Sequence, residues 1–158
     1  MEYRRLGRTE FQVSLLGIGC GYLGPMERSA GTRLLKRALE LGINYFDGRY
    51  GDSNRMLRPL LTEQRERCIV VTKTNAQTAE GAAKRIDEDL DELGTDYIDI
   101  FLLRTFDHDM LRGHLAPGGS MEAALRAKQQ GQVRFVGLSG HTDLSALTAG
   151  IETDLVDV

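Results

Sequence analysis

Cysteine is scarce in this sequence, which has only Cys20 and Cys68 among its 158 residues. Neither belongs to a C-x-x-C pair, so the sequence indicates no iron–sulfur cluster and no structural zinc site. We therefore predict a protein without a bound metal. Because thiols stay reduced in the cytosol, we expect both cysteines to be free.

Long apolar runs are also missing. Charged residues interrupt the first twenty positions, at Glu2, Arg4, Arg5, Arg8 and Glu10, which excludes the apolar core of a signal peptide. No later run approaches the roughly 18 apolar residues that a membrane-spanning helix requires. We therefore expect a cytoplasmic protein with no membrane partner.

The sequence lacks a strong charge of either sign. Its net charge is -3, and its 20 basic and 23 acidic residues are interspersed. Such a sequence offers no basic face for a nucleic-acid backbone, and no nucleic-acid-binding motif is present. The length, with 41% hydrophobic and 27% charged residues, indicates one globular domain over residues 1–158.

Short β-rich apolar runs alternate with segments of helical spacing. The apolar runs occupy 15–19, 43–47, 68–73, 98–104, 134–139 and 155–158, and the helical segments occupy about 32–41, 53–61, 79–93, 120–130 and the residues after 142. Strands and helices that alternate every 25–35 residues or so are typical of parallel βαβ units. We thus predict an α/β fold with six strands and five helices, after an N-terminal β-hairpin whose turn is Gly7 to Glu10.

Polar residues stand where the predicted strands end. The second strand ends at Asp47, with Tyr50 three residues later, and the third ends at Lys73. The fourth ends at Arg104, and the fifth ends in Ser139, Gly140 and His141. Because the carboxyl ends of parallel strands open on one face, these residues form a candidate site.

A tyrosine, a lysine and an aspartate together suit proton delivery to a carbonyl. The ordinary pKa of a phenol is near 10, so Tyr50 gains as a proton donor from a cation that stabilises the phenolate. Lys73 supplies that cation, and Asp47 holds the lysine charged and oriented. Arg104 is a further donor that could polarise a substrate oxygen.

A glycine motif offers a competing interpretation. Gly19, Gly21 and Gly24 form G-x-G-x-x-G after the first strand, and Asp47 follows at the distance expected of a ribose ligand in a doubly wound dinucleotide-binding fold. That fold requires the third glycine to lie in a helix, whereas Pro25 follows at once. The N-terminal hairpin also counts against it, so we favour a loop that leaves the first strand.

Five segments in order resemble the aldo/keto reductase family. They are MEYRRLGRTEFQVSLLGIGCG, ALELGINYFD with Tyr50-Gly51, VVTK, LGTDYIDIFLL and GQVRFVGLSGH. In detail the sequence is similar to a bacterial branch whose longer members carry a ferredoxin-like extension. The resemblance implies a (β/α)₈ TIM barrel that reduces a small-molecule aldehyde or ketone with NADP(H) or NAD(H) and without a metal.

The resemblance also implies roles for particular residues. Asp47, Tyr50 and Lys73 match the family's catalytic residues, but Arg104 replaces the family's histidine on the fourth strand, and the gap from Asp47 to Tyr50 is two residues shorter than usual. His108, four residues beyond Arg104, is more typical of a surface residue. The cofactor contacts map to the positions that the family uses: Gly19, Cys20, Asp47, Ser139 and Gly140, where Gly140 stands in place of the family's asparagine.

A complete barrel of this kind needs about 250 residues. The sequence stops inside its sixth predicted strand, so we expect a truncated barrel that lacks the family's main phosphate-binding loops. Its open edges would carry unpaired backbone groups, which a second copy could cover in a homo-oligomer. The alternative to an enzyme is therefore a non-catalytic half-barrel that self-associates.

Overall fold

An N-terminal hairpin precedes the main sheet, as predicted. The computed structural model describes residues 1–48 and 52–158. Strands β1 (Tyr3–Arg5) and β2 (Gln12–Ser14) pair antiparallel, with Tyr3 opposite Ser14. A 3₁₀ turn at Gly7–Thr9 joins them.

Five parallel strands form the main sheet. They are β3 (Ile18–Gly19), β4 (Tyr45–Asp47), β5 (Ile69–Thr74), β6 (Ile98–Arg104) and β7 (Val133–Ser139), and they pair in chain order. Sequential order excludes the doubly wound fold, whose strand order reverses at its centre. The fold is therefore α/β and corresponds to part of a (β/α)₈ barrel.

The expected sixth strand does not form at residues 155–158. Asp157 N–H donates to Val136 O at 2.7 Å, and Leu138 N–H donates to Val158 O at 3.0 Å, so this segment runs beside β7. The Asp157 carboxylate accepts from Val136 N–H at 3.0 Å. In a complete β ladder, this backbone N–H would donate to a backbone carbonyl oxygen of the neighbouring strand instead. The expected six strands are corrected to five in the described residues.

The helices follow the predicted alternation with one addition. They are α1 (Arg28–Glu40), α2 (Ser53–Gln64), α3 (Ala79–Leu93), α4 (His108–Leu115), α5 (Ser120–Gln129) and α6 (Leu144–Glu152). The prediction of about five helices did not include α4, which has only eight residues, so the described residues contain six. Asp107 starts α4 by accepting from Met110 N–H at 2.8 Å.

Thr78 and Gly94 bound α3 as the sequence predicts. Thr78 Oγ1 accepts from Gly81 N–H, and Gly94 ends the helix with φ +65°. No helix in the described ranges is long and apolar enough to cross a membrane. The cytoplasmic location stays a prediction.

The sheet buries apolar residues on both faces. Val70, Phe101 and Leu103 pack toward the helices, whereas Val71 and Leu102 belong to a second cluster on the inner face. The hairpin covers part of that inner face through Leu6, Phe11 and Val13, with the Phe11 and Phe135 rings edge to face at 5.1 Å. Side chains therefore alternate between the two layers along each strand.

A buried ionic cluster joins the strand starts. Asp99, whose side chain is 2% exposed, accepts from Val70 N–H at 2.9 Å and from Arg65 at 2.8 Å. Its second oxygen accepts from Arg134 at 3.1 Å. Arg65 also donates to Tyr97 O and lies 3.8 Å from the centre of the Tyr97 ring. These contacts hold the segment LGTDYID at the end of the sheet where the strands begin.

We expect Asp99→Ala to lower the free energy of unfolding by about 2–4 kcal/mol, because it leaves Val70 N–H and the Arg65 guanidinium without their buried acceptor. Urea unfolding followed by circular dichroism measures the change. The matched control is Asp109→Ala, which removes an exposed carboxylate paired with exposed Arg112 and should leave the midpoint nearly unchanged. Equal midpoints for the two variants would contradict the anchoring role of Asp99.

Candidate functional site

The strand ends bring four predicted residues to one side of the sheet. Asp47 ends β4, Lys73 is next to last in β5, and Arg104 and Ser139 end β6 and β7 as register partners. Each is an even number of residues from an inner-face position of its own strand, such as Val71 for Lys73. The alternation of a strand therefore turns all four toward the barrel interior.

Lys73 and Asp47 form an ion pair. Lys73 Nζ lies 2.7 Å from Asp47 Oδ2, and the two side chains are 10% and 30% exposed. The other carboxylate oxygen, Asp47 Oδ1, is buried and accepts no hydrogen bond from the described residues. The pair thus holds the Lys73 side chain at the rim and leaves one carboxylate oxygen of Asp47 available as an acceptor.

An open cleft of about 440 Å³ lies over this ion pair. In the described part of the chain it is lined by Gly19, Gly21, Tyr22, Asp47, Lys73 and His141. The cleft therefore lies between the end of the first barrel strand, β3, and the loop that follows β7. A small ligand in the cleft would meet a lysine, a carboxylate, a phenol and an imidazole.

Two residues of this lining were not assigned a role from the sequence. Tyr22, 94% exposed, lies in the 3₁₀ segment Cys20–Leu23 directly after β3. His141 follows the end of β7 by two residues. Position after a strand end was the available signal for both, but it does not reveal which loop residues turn into the cleft.

Gly19 and Cys20 lie at the cleft edge in different ways. A Cβ at Gly19 would meet no atom of residues 1–48 or 52–158 within 4 Å, so these residues leave the backbone there open to a ligand. The Cys20 side chain is buried. Burial, followed by the nearby Asp47 charge, raises the Cys20 pKa to about 12, so the group stays a neutral thiol. The residue can offer only its backbone to a cofactor.

The glycine motif does not make a phosphate-binding helix start. Gly24 follows the 3₁₀ segment Cys20–Leu23, and α1 begins only at Arg28. The N-terminus of α1 is capped by Glu27, which accepts from Ser29 N–H and Ala30 N–H. This supports the interpretation of the motif as a loop that leaves the first barrel strand.

Arg104 stands at the end of β6, but it is not among the described residues that line the cleft. Its guanidinium lies 4.7 Å from the centre of the Phe106 ring, and its carbonyl oxygen accepts from His114 Nε2 at 2.8 Å. His108 is exposed and lies 2.9 Å from Ser145 Oγ through Nε2. The polarising role of Arg104 stays a prediction.

Ser139 and Gly140 shape the rim beside Arg104. Ser139 Oγ is buried without a hydrogen-bond partner in the described residues. A Cβ at Gly140 would overlap the carbonyl oxygen of Thr105, so this position has no room for a side chain. Thr105 N–H also donates to Ser139 O at 2.7 Å, which fixes the two strand ends together.

Tyr50, the predicted proton donor, lies outside the described residues. On its N-terminal side Gly48 N–H donates to Val71 O at 2.8 Å. On its C-terminal side Asn54, the second residue of α2, donates to buried Asp89 at 2.7 Å. The described residues contain no group of three or more histidine, cysteine or acidic side chains that could hold a metal.

Comparisons with known proteins agree with this architecture. The aldo/keto reductase family model matches residues 15–153. L-galactose dehydrogenase from Arabidopsis thaliana is 34% identical over 159 residues, covering 89% of this chain and 49% of the relative. Pyridoxine 4-dehydrogenase from Escherichia coli is 31% identical over 174 residues, covering 98% of this chain and 58% of the relative.

A solved structure supports the same assignment. The holo form of an aldo-keto reductase from Bacillus halodurans superposes with a TM-score of 0.77 and 29% identity, covering 89% of this chain and 50% of that one. The chain thus spans about half the length of the relatives that it matches. Since sequence and fold agree over most of its residues, this chain belongs to the aldo/keto reductase family.

Proposed function

We propose that this chain carries the catalytic half of an oxidoreductase that reduces an aldehyde or ketone with NADPH or NADH. The observation that carries the proposal is the 2.7 Å ion pair between Lys73 and Asp47 in a cleft at the strand ends. Family membership supports oxidoreductase chemistry on carbonyls. Relatives include proteins named for such substrates, among them an L-glyceraldehyde 3-phosphate reductase.

The proposed proton donor is Tyr50. A reduced nicotinamide bound at the rim would supply a hydride to the carbonyl carbon. As the carbonyl π electron pair shifts to the oxygen, Tyr50 would transfer its phenolic proton to that oxygen. A nearby ammonium stabilises the phenolate that remains. Lys73 provides this charge, Asp47 holds it in place, and Arg104 is proposed to polarise the carbonyl.

The residues at the rim are compatible with a nicotinamide cofactor. Gly19 leaves open space where a side chain would stand, and Ser139 Oγ and Asp47 Oδ1 are buried without partners in the described residues. Such orphaned groups suit the polar atoms of a ligand. We propose that the Gly19 and Cys20 backbone, Asp47, Ser139 and the Gly140 backbone contact the cofactor.

We expect Tyr50→Phe to lower turnover about 10²–10⁴-fold while NADPH still binds, because the variant removes only the transferable proton. Loss of NADPH absorbance with a panel of aldehydes measures turnover, and quenching of protein fluorescence measures binding. Tyr3→Phe is the matched control, since the Tyr3 hydroxyl donates to Gly42 O at 2.8 Å in the N-terminal hairpin. A wild-type chain that neither binds nor oxidises NADPH would refute the proposal, and full turnover by Tyr50→Phe would refute the donor.

A second candidate function is self-association of a non-catalytic half-barrel. Apolar side chains are exposed beside both open edges of the sheet: Leu144 and Ile151 on α6 are 79% and 63% exposed, and Leu15 and Leu16 before β3 are 54% and 61% exposed. Pairing of these edges between copies would remove them from water.

If self-association is the function, native mass spectrometry gives a multiple of 17.5 kDa, and Ile151→Glu converts the assembly to a monomer because a charge cannot be buried in an apolar contact. The matched control is Thr62→Glu, which adds the same charge at an exposed position of α2, away from both edges of the sheet. A wild-type monomer at high concentration would exclude this candidate.

A further inference from the structure

We propose that His141 is a further catalytic residue of the cleft, and that its imidazole donates a hydrogen bond to the oxygen of the carbonyl that is reduced. The inference rests on the proposed function and deepens it. It starts from one observation, namely that the loop after β7 turns His141 into the same cleft as Lys73 and Asp47.

The position of His141 is fixed by the residues before it. Ser139 is the last residue of β7 and pairs with Arg104 at the end of β6. Gly140 packs directly on the carbonyl oxygen of Thr105, where a Cβ would overlap it. The backbone that enters position 141 is therefore held against the adjacent strand end, and this limits where the imidazole can lie.

His141 differs from the other two histidines in having no hydrogen-bond partner among the residues that the structure describes. His108 contacts Ser145 at 2.9 Å, and buried His114 contacts Ser120 Oγ and the carbonyl oxygen of Arg104. The His141 ring is exposed to the cleft and makes no hydrogen bond within the described residues. A ligand can therefore take its N–H without breaking a contact.

The chemistry of the cleft favours an imidazole for this role. Lys73 is engaged by Asp47 at 2.7 Å, and the Arg104 guanidinium lies over the Phe106 ring. An imidazole carries an N–H donor whether it is neutral or charged, so it can bind a carbonyl oxygen in either state. A donor aimed at the oxygen stabilises the negative charge that develops there during hydride transfer.

The test compares His141→Phe, which keeps a planar ring but has no donor, with His141→Gln, which restores an N–H. We expect kcat for aldehyde reduction by the full chain to fall about 100-fold in His141→Phe and to recover partly in His141→Gln. Quenching by NADPH should be equal in all variants. His108→Phe is the matched control and should retain wild-type kcat.

A second measurement does not depend on turnover. In proton–carbon NMR spectra, Lys73→Met should move the imidazole resonances of His141 and leave those of His108 in place, because only His141 shares the cleft with the lost charge. Asp47→Asn should do the same if Lys73→Met does not fold.

The outcomes separate the two proposals. Equal kcat in wild type and His141→Phe overturns the role of His141 and leaves the proposed reductase function standing. An altered NADPH affinity in His141→Phe, with kcat unchanged, overturns it too, since it assigns the residue to the cofactor. If the His141 resonances do not move in either charge variant, His141 does not lie beside Lys73 and Asp47, and the proposal is overturned. If the wild-type chain does not bind NADPH, both the proposed function and the role of His141 are overturned.

Discussion

The register of the parallel strands is the constraint on which the site depends. Lys73 pairs with Leu102 of β6, and the neighbouring Thr72 is buried on the opposite, helix-facing side of β5. A slip by one residue would exchange these two positions, which would place an ammonium in the apolar layer beneath the helices. The ion pair and the cleft therefore exist only in the observed register.

Asp99 fixes this register from the far end of the sheet. It lies on β6, yet it accepts from the backbone N–H of Val70 on β5, and it is clamped by Arg65 and Arg134. A one-residue slip would remove Val70 N–H from the carboxylate and leave a buried charge poorly compensated. Contacts at the end of the sheet where the strands begin thus determine which side chains lie at the opposite end, where the cleft is.

The Lys73–Asp47 pair is better explained by chemistry than by stability. Desolvation offsets much of the attraction in a partly buried ion pair, and well-packed apolar residues often stabilise a fold as much or more. Here the pair lies on a cleft that keeps it in contact with solvent, and Asp47 Oδ1 has no partner in the described residues. The unpartnered oxygen is therefore an acceptor that a ligand in the cleft could use.

The sequence predicted what repeats along the chain and missed what depends on single side chains. The hairpin, the five parallel strands and the Thr78 and Gly94 boundaries follow from patterns of apolar, capping and turn residues. Helix α4 has only eight residues, so its apolar positions cover little more than two turns, too few to be recognised as a helix from spacing. Asp157 interrupts the pairing that LVDV predicts, through a side-chain contact that no strand pattern contains.

The same limit applied to the candidate site. Strand ends identified Asp47 and Lys73, because the position of each side chain follows from strand alternation alone. Nothing comparable orients a loop residue, so His141 was seen at a strand end but not assigned to the cleft. The contact between Gly140 and Thr105 O, which directs the loop, appears only in three dimensions.

Polar groups at the strand ends differ in whether they have hydrogen-bond partners. Between β6 and β7, buried His114 donates from Nε2 to Arg104 O and accepts at Nδ1 from Ser120. Burial lowers the pKa of His114, which favours the neutral ring in which Nδ1 accepts from the Ser120 hydroxyl. Both ring nitrogens of this histidine are thus satisfied within the protein.

Two other polar atoms at the strand ends have no such partners. Asp47 Oδ1 and Ser139 Oγ are buried without partners in the described residues. Asp47 ends β4, and Ser139 ends β7. A buried polar atom without a partner costs free energy, and a ligand that supplies the missing hydrogen bonds recovers it. The strand ends therefore carry unsatisfied polar groups that a polar ligand could satisfy. Without a ligand, the folded protein is destabilised by the free energy of leaving these groups unpaired.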